Sequence, residues 1–182
     1  MKKDSRPEAK IGPLLRRRKA TLSVAESCTG GLIAHRITNV SGSSDYFEMG
    51  VVSYSNRSKV KLLGVSKSDI DRYGSVSYQV AGKMARGVRW RAKTDIGLAT
   101  TGIAGPLGGT RQTPVGTVFI GLDHEGGTEI REFHFKGSRE GIKEEAFQKS
   151  LEILMDYLIE TGKKGDGKKI IQSESENLDN IK

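Results

Sequence analysis

The sequence predicts an α/β fold, a three-layer α/β/α sandwich around a mixed, mainly parallel sheet. Three observations carry that prediction. Helix-type and strand-type patterns alternate from Pro7 to Thr101. Two strand-type runs end in turns, one at Ala25–Gly31 and one in a glycine-rich stretch after Thr101. A hairpin pattern then follows late in the chain, which supplies the antiparallel part of the sheet. In sheets of this kind ligands bind beyond the carboxyl ends of the parallel strands, where both turns fall.

Each element has its own local cause. Residues 1–6 read as disordered. Pro7 suits the first turn of a helix reaching about Lys19, with Gly12-Pro13 expected to interrupt or delay it. A strand near 21–25 leads through AESCTGG at 25–31 into a helix to about Val40. Thr29 is the expected cap of that helix, and Gly30 and Gly31 allow close approach of the backbone. Ser41–Ser44 is a loop, and Phe47–Tyr54 a second strand. Asn56 is the expected N-cap of a short helix that Gly64 ends, and Ser66–Asp69 opens another. Gly74–Ser77 leads into a helix over Tyr78–Trp90, with Val80, Ala81, Met84, Ala85 and Val88 on its inner face. Asp95–Thr101 reads as a buried strand. Val115–Leu122 pairs with Ile130–Phe135 across a turn at His124–Gly127. A final helix over Arg139–Ile159 turns Ala146, Phe147, Leu151, Leu154 and Leu158 inward. One domain is expected over 1–162, followed by a polar, disordered tail over 163–182.

The chain has 182 residues, 35% of them apolar and 29% charged, enough for one domain with a core. No apolar run approaches the ~18 residues of a membrane span, and the basic N-terminus lacks the apolar stretch of a signal peptide. Cys28 is the single cysteine, so no internal disulfide is expected. These features predict a soluble, cytoplasmic protein with no membrane partner. The net charge of +8 is concentrated near the N-terminus, in Lys2, Lys3, Arg6, Lys10 and Arg16–Lys19. Such charge attracts nucleic acid or anionic small molecules, or simply solvates a helix face. No stacking aromatics accompany it, so a nucleic-acid partner is not expected.

Three segments carry candidate chemistry. Ser27 and Cys28 stand beside a helix N-terminus, a place that favours a nucleophile or an anion. Lys59 falls in the first turn of the helix after Asn56, where the helix dipole and burial both lower a lysine pKa, as a general base requires. Tyr54 is placed to hold that amine or relay a proton, and the glycine-rich amides can form an oxyanion hole. The plainer reading makes Ser27 and Thr29 helix caps, Lys59 a surface residue and Tyr54 a core residue. Cys28 is either a rival nucleophile or a buried, inert thiol. Glu26 is an acid, an orienting group or a structural residue. His35, His124 and His134 lack metal-ligand spacing. Residues 102–116 lack the Gly-Lys-Ser/Thr ending of a triphosphate-binding loop but can cradle one phosphate or form a surface hairpin.

Several blocks in one order make the chain similar to a known family: AESCTGG at 25–31, GSSDYF at 42–47, YSNRSK at 54–59, GSVS at 74–77, GIAGPLGG at 102–109 and PVGTV at 114–118. The sequence resembles the C-terminal domain of the CinA (competence/damage-inducible) family, the nicotinamide-nucleotide amidohydrolases. The resemblance implies a standalone amidohydrolase domain that converts nicotinamide mononucleotide to nicotinate mononucleotide and ammonia in pyridine nucleotide recycling. It implies Ser27 as nucleophile, Lys59 as base and Tyr54 as assistant, without a metal or organic cofactor, in a homodimer. Expected substrate contacts are Thr29, Gly30, Gly31, Thr101, Gly102, Gly105, Gly108 and Gly109, with Arg139 for the phosphate. The chain departs from the family pattern at Tyr78, Leu107, Ser138 and Lys143. The alternative expectation is a non-catalytic nucleotide- or partner-binding module of the same fold.

Overall fold

The computed structural model describes residues 6–164. Helix α1 (Pro7–Arg18) starts on Pro7 and runs through Gly12-Pro13 without a break, contrary to the expected interruption. Its buried residues Ile11 and Leu15 flank that pair and seat it in the core, which offsets the lost backbone bond. Gly12 lies against Tyr46, with space for a Cβ only 3.0 Å from the Tyr46 hydroxyl. Lys19, at φ 52°, turns the chain out of the helix.

Strand β1 (Leu22–Glu26), helix α2 (Leu32–Thr38), a 3-10 turn at Ser43–Asp45 and strand β2 (Phe47–Val52) follow. Next come the helices α3 (Asn56–Leu63), α4 (Lys67–Tyr73) and α5 (Tyr78–Ala92). Strands β3 (Ile96–Gly102), β4 (Thr117–His124) and β5 (Gly127–His134) precede the long α6 (Arg139–Lys164). The expected polar tail therefore begins inside α6. Its remainder and residues 1–5 lie outside the described residues.

The five strands are ordered β2-β1-β3-β4-β5. β1 pairs in parallel with β2 and β3, β4 opposes β3, and β5 opposes β4. Only β4 thus runs against the common direction. Strand alternation divides the side chains between two layers. Leu22, Val24, Ile96 and Leu98 face α1, α2 and α6, where Ile11, Leu15, Ile33, Phe147 and Leu151 fill the core. Ala25 and Ala99 face α5, together with Val80, Met84, Ala85 and Val88. These small sheet residues bring α5 close. A Cβ on Gly97 would stand 2.2 Å from the Ala85 carbonyl, and one on Gly87 would stand 2.0 Å from the Leu63 carbonyl of α3. α3 is thereby held tightly on α5, which fixes the position of Lys59. No helix among the described residues is long and apolar enough to cross a membrane.

Part of the basic N-terminal cluster is used inside the fold. Arg16 bonds the Asp45 carboxylate at 2.8 Å and the Gly42 carbonyl at 2.6 Å, and Arg18 bonds Thr161.

Candidate active site

Ser27 leaves the carboxyl end of β1 with its N–H bonded to the Thr100 carbonyl at 3.0 Å, while its own carbonyl accepts from Gly30 N at 3.2 Å. The turn is closed by Glu26 rather than by the expected cap, Thr29. Gly31 occupies the N-cap position of α2 at φ 98° and carries no capping side chain. The Glu26 carboxylate reaches forward and accepts from Gly31 N at 2.9 Å, Ile33 N at 3.1 Å and Ala34 N at 2.9 Å. Thr29 instead turns its hydroxyl to Thr100 Oγ1 at 2.8 Å. The anion favoured at this helix start is therefore the protein's own carboxylate.

Lys59 comes from α3. Ser55, not Asn56, is the N-cap: its hydroxyl accepts from Ser58 N at 3.1 Å, and Ser58 Oγ accepts from Ser55 N at 3.0 Å. Asn56 is the first helical residue. Lys59 is only 2% exposed. Its Nζ lies 2.9 Å from Ser27 Oγ and 3.0 Å from the Ser53 carbonyl. No carboxylate among the described residues lies within ion-pair distance of it. Burial lowers its pKa, against a smaller upward pull from the neighbouring Cys28. Burial also pushes the Cys28 thiol up to about 11, so Cys28 stays a neutral thiol near pH 7. Of the two candidate nucleophiles, Ser27 is the one hydrogen-bonded to the Lys59 amine.

The pair opens onto a cleft of about 230 Å³ lined by Ser27, Cys28, Tyr54, Lys59, Ser75, Val76, Gly105, Leu107, Gly108, Arg139 and the run from Thr101 to Ala104. This brings together Ser27, Lys59, Tyr54, Thr101, Gly102, Gly105, Gly108 and Arg139 of the expected residues. Thr29, Gly30, Gly31 and Gly109 do not line it. Thr29 is turned to Thr100. Gly30 faces Lys143 and Gly31 faces Val52, on the α2 side of the turn. Gly109 is tucked against the backbone N of Val115.

Tyr54 also differs from expectation. Its hydroxyl accepts from Arg139 Nη2 at 2.9 Å, whereas among the described residues the Lys59 amine bonds Ser27 and Ser53. Arg139 Nη1 bonds the Gly105 carbonyl at 2.6 Å, so this guanidinium ties the Tyr54 loop to the glycine-rich loop at the mouth of the cleft. Among the described residues the lining contains two basic side chains, Lys59 and Arg139, and no Asp or Glu. Sequence reasoning missed the Ser53 carbonyl, Thr100, Ser75 and Val76. The GSVS block marked the loop of the last two, and Thr101 Oγ1 donates to Ser75 O at 2.8 Å. Of the four departures from the family pattern only Leu107 lines the cleft. Tyr78 opens α5, Ser138 Oγ accepts from Gly141 N at the start of α6, and Lys143 lies beside Gly30.

The fold and cleft define an α/β domain with a buried serine–lysine pair at the carboxyl ends of its parallel strands. Residues 4–158 match the CinA C-terminal domain. The chain belongs to that family. It is 52% identical over 151 residues to a putative competence-damage inducible protein of Moorella thermoacetica, covering 83% of this chain and 36% of that protein. It is 51% identical over 156 residues to a CinA-like protein of Syntrophus aciditrophicus, covering 85% and 37%. The chain thus spans little more than a third of the length of these relatives. Among solved structures it is similar to the competence/damage inducible protein CihA of Agrobacterium tumefaciens, with a TM-score of 0.81 at 35% identity over 82% of this chain and 92% of that one. It is also similar to the competence damage-inducible protein A (ComA) of Klebsiella pneumoniae, with a TM-score of 0.82 at 31% identity over 84% and 95%.

Proposed function

We propose that this chain hydrolyses the carboxamide of nicotinamide mononucleotide, yielding nicotinate mononucleotide and ammonia, with Ser27 as nucleophile and Lys59 as general base. The observation that carries the reading is the 2.9 Å contact between a buried lysine amine and the Ser27 hydroxyl. A lysine whose pKa is lowered by burial is a competent base for a serine hydroxyl. Lys59 takes the hydroxyl proton as the Ser27 Oγ–carbonyl bond forms. It then hands that proton to the departing nitrogen as the C–N bond breaks, leaving an ester on Ser27. Water, deprotonated by Lys59, cleaves that ester. An acid-free lining with Arg139 at its mouth suits a substrate that carries one phosphate. We also propose that the chain works as a homodimer, which light scattering tests.

The direct test is release of ammonia and nicotinate mononucleotide from nicotinamide mononucleotide by the purified protein, beside Ser27→Ala and Lys59→Ala. Activity in the parent and its loss in both variants supports the reading. A folded, inactive parent that binds the nucleotide tightly in calorimetry overturns it in favour of a binding module.

A further inference from the structure

The nucleophile and the base stand in a closed circuit of bonds. Lys59 Nζ contacts both Ser27 Oγ and the Ser53 carbonyl. Ser53 N donates to the Glu26 carbonyl at 2.8 Å, and Glu26 is covalently joined to Ser27. Apart from the Ser27 and Lys59 side chains, the circuit is main chain. Two further main-chain bonds, from Ser27 N to the Thr100 carbonyl and from Gly30 N to the Ser27 carbonyl, hold the start of the turn. The Glu26 side chain ties that turn to the start of α2. It is 1% exposed, and among the described residues it pairs with no arginine or lysine. Its compensation is the set of three N–H bonds from the first turn of α2. Because those donors lie five, seven and eight residues ahead, the carboxylate closes a loop with Ser27 inside it. An ordinary cap only ends a helix, whereas this one spans the nucleophile.

We infer that Glu26 is the positioning residue of this site, setting the direction of Ser27 Oγ toward Lys59 without touching substrate. The inference rests on the reading of Ser27 as nucleophile. An isosteric amide at position 26 keeps one acceptor oxygen but presents an NH₂ group to a backbone N–H, so part of the turn must swing away. A displacement on the order of 1 Å at a reacting group costs on the order of 100-fold in rate. The variant also removes a negative charge next to the pair, which leaves the ammonium form of Lys59 less stabilised.

The test compares the parent with Glu26→Gln in three readouts: kcat and KM for nicotinamide mononucleotide, the pH midpoint of activity, and the rate at which a fluorophosphonate labels Ser27. E26Q is expected to lower kcat and the labelling rate together, by about 10- to 100-fold, with KM unchanged within about threefold and the midpoint moved to lower pH. Ile37→Val trims a core contact of the same helix and is expected to change none of these. Glu26→Asp keeps the charge but shortens its reach, and is expected to fall in the same direction; it carries the test if E26Q does not fold. Parent-like labelling and pH midpoint in these Glu26 variants, or an equal loss in Ile37→Val, overturns the inference. Labelling that E26Q abolishes, in a parent that does not turn over the nucleotide, supports the inference and overturns only the proposed substrate. A parent that fails to label overturns both.

Discussion

Two buried ionisable side chains stand at opposite ends of the sheet, and they are treated differently. Asp123, near the end of β4, is 2% exposed. It is met by Arg89 at 3.1 Å, by Arg86 at 3.5 Å and by the Thr128 hydroxyl. Lys59, at the other end, is equally buried but among the described residues meets only a hydroxyl and a carbonyl. A buried carboxylate that meets two guanidinium groups and a hydroxyl has its desolvation offset, and it ties β4 to α5. A buried amine without an acid is pushed toward its neutral form, the one that can accept a proton. The difference separates a structural end of the molecule from the end that carries the proposed chemistry.

The largest effect that sharpens this contrast is on turnover. Ser27→Ala and Lys59→Ala are each expected to lower kcat by at least about 1000-fold, in an assay of ammonia release. Lys59→Arg should not restore it, because a guanidinium stays protonated. Next in size is Asp123→Ala, which leaves two arginines without their acid. It is expected to cost about 2–3 kcal/mol in denaturant unfolding, with turnover per folded molecule unchanged. A loss of turnover as large as that of Lys59→Ala would break the comparison.

Lys59→Met is expected to go the other way. It removes activity while stabilising the fold by about 1 kcal/mol at neutral pH, since no buried amine remains to be desolvated. The sign of the pH dependence follows from the lowered Lys59 pKa. Between that lowered value and the ordinary lysine value of about 10.4 the unfolded chain binds the extra proton, so parental stability rises with pH through that window. Denaturant unfolding of the parent and Lys59→Met across that window should show the gap closing. Activity should rise through Lys59 deprotonation with a midpoint below the ordinary lysine value, in a pH–kcat profile. The smallest effects belong to the mouth of the cleft. Arg139→Ala is expected to raise KM roughly tenfold through one lost charged hydrogen bond. Tyr54→Phe, which removes only the hydroxyl that receives Arg139, is expected to raise it about twofold.

The element order was readable because its causes are local. The inward faces of α5 and α6 follow helical spacing, and every residue assigned to them from that spacing is buried: Val80, Ala81, Met84, Ala85 and Val88 on one, Ala146, Phe147, Leu151, Leu154 and Leu158 on the other. Ser27 was visible as a turn residue, and Lys59 as a residue one turn into a helix. Their contact depends on a tertiary fact, that β1 lies between β2 and β3 and so brings the two ends together. The errors have the same origin. Thr29 is the nearest good capping residue in sequence, and nothing local announces that a glutamate inside the preceding strand reaches the helix instead. Tyr54 is close to Lys59 along the chain, yet α6 delivers Arg139 to its hydroxyl. Gly12-Pro13 reads as a break until Tyr46 is seen packed on it.

Apart from the Glu26 carboxylate, the anchors of the pair are peptide groups. The Ser53 carbonyl holds the amine, the Thr100 carbonyl holds Ser27 N, and Ser53 N is tied to the Glu26 carbonyl. A change of codon replaces a side chain and leaves these groups in place, unless it brings in proline. The serine–lysine pair therefore presents a small mutational target. Residues 53 and 100 can drift among side chains of suitable size without erasing the bonds, and lineages can revise the rim of the cleft, at Tyr54 or Leu107, while inheriting its floor unchanged.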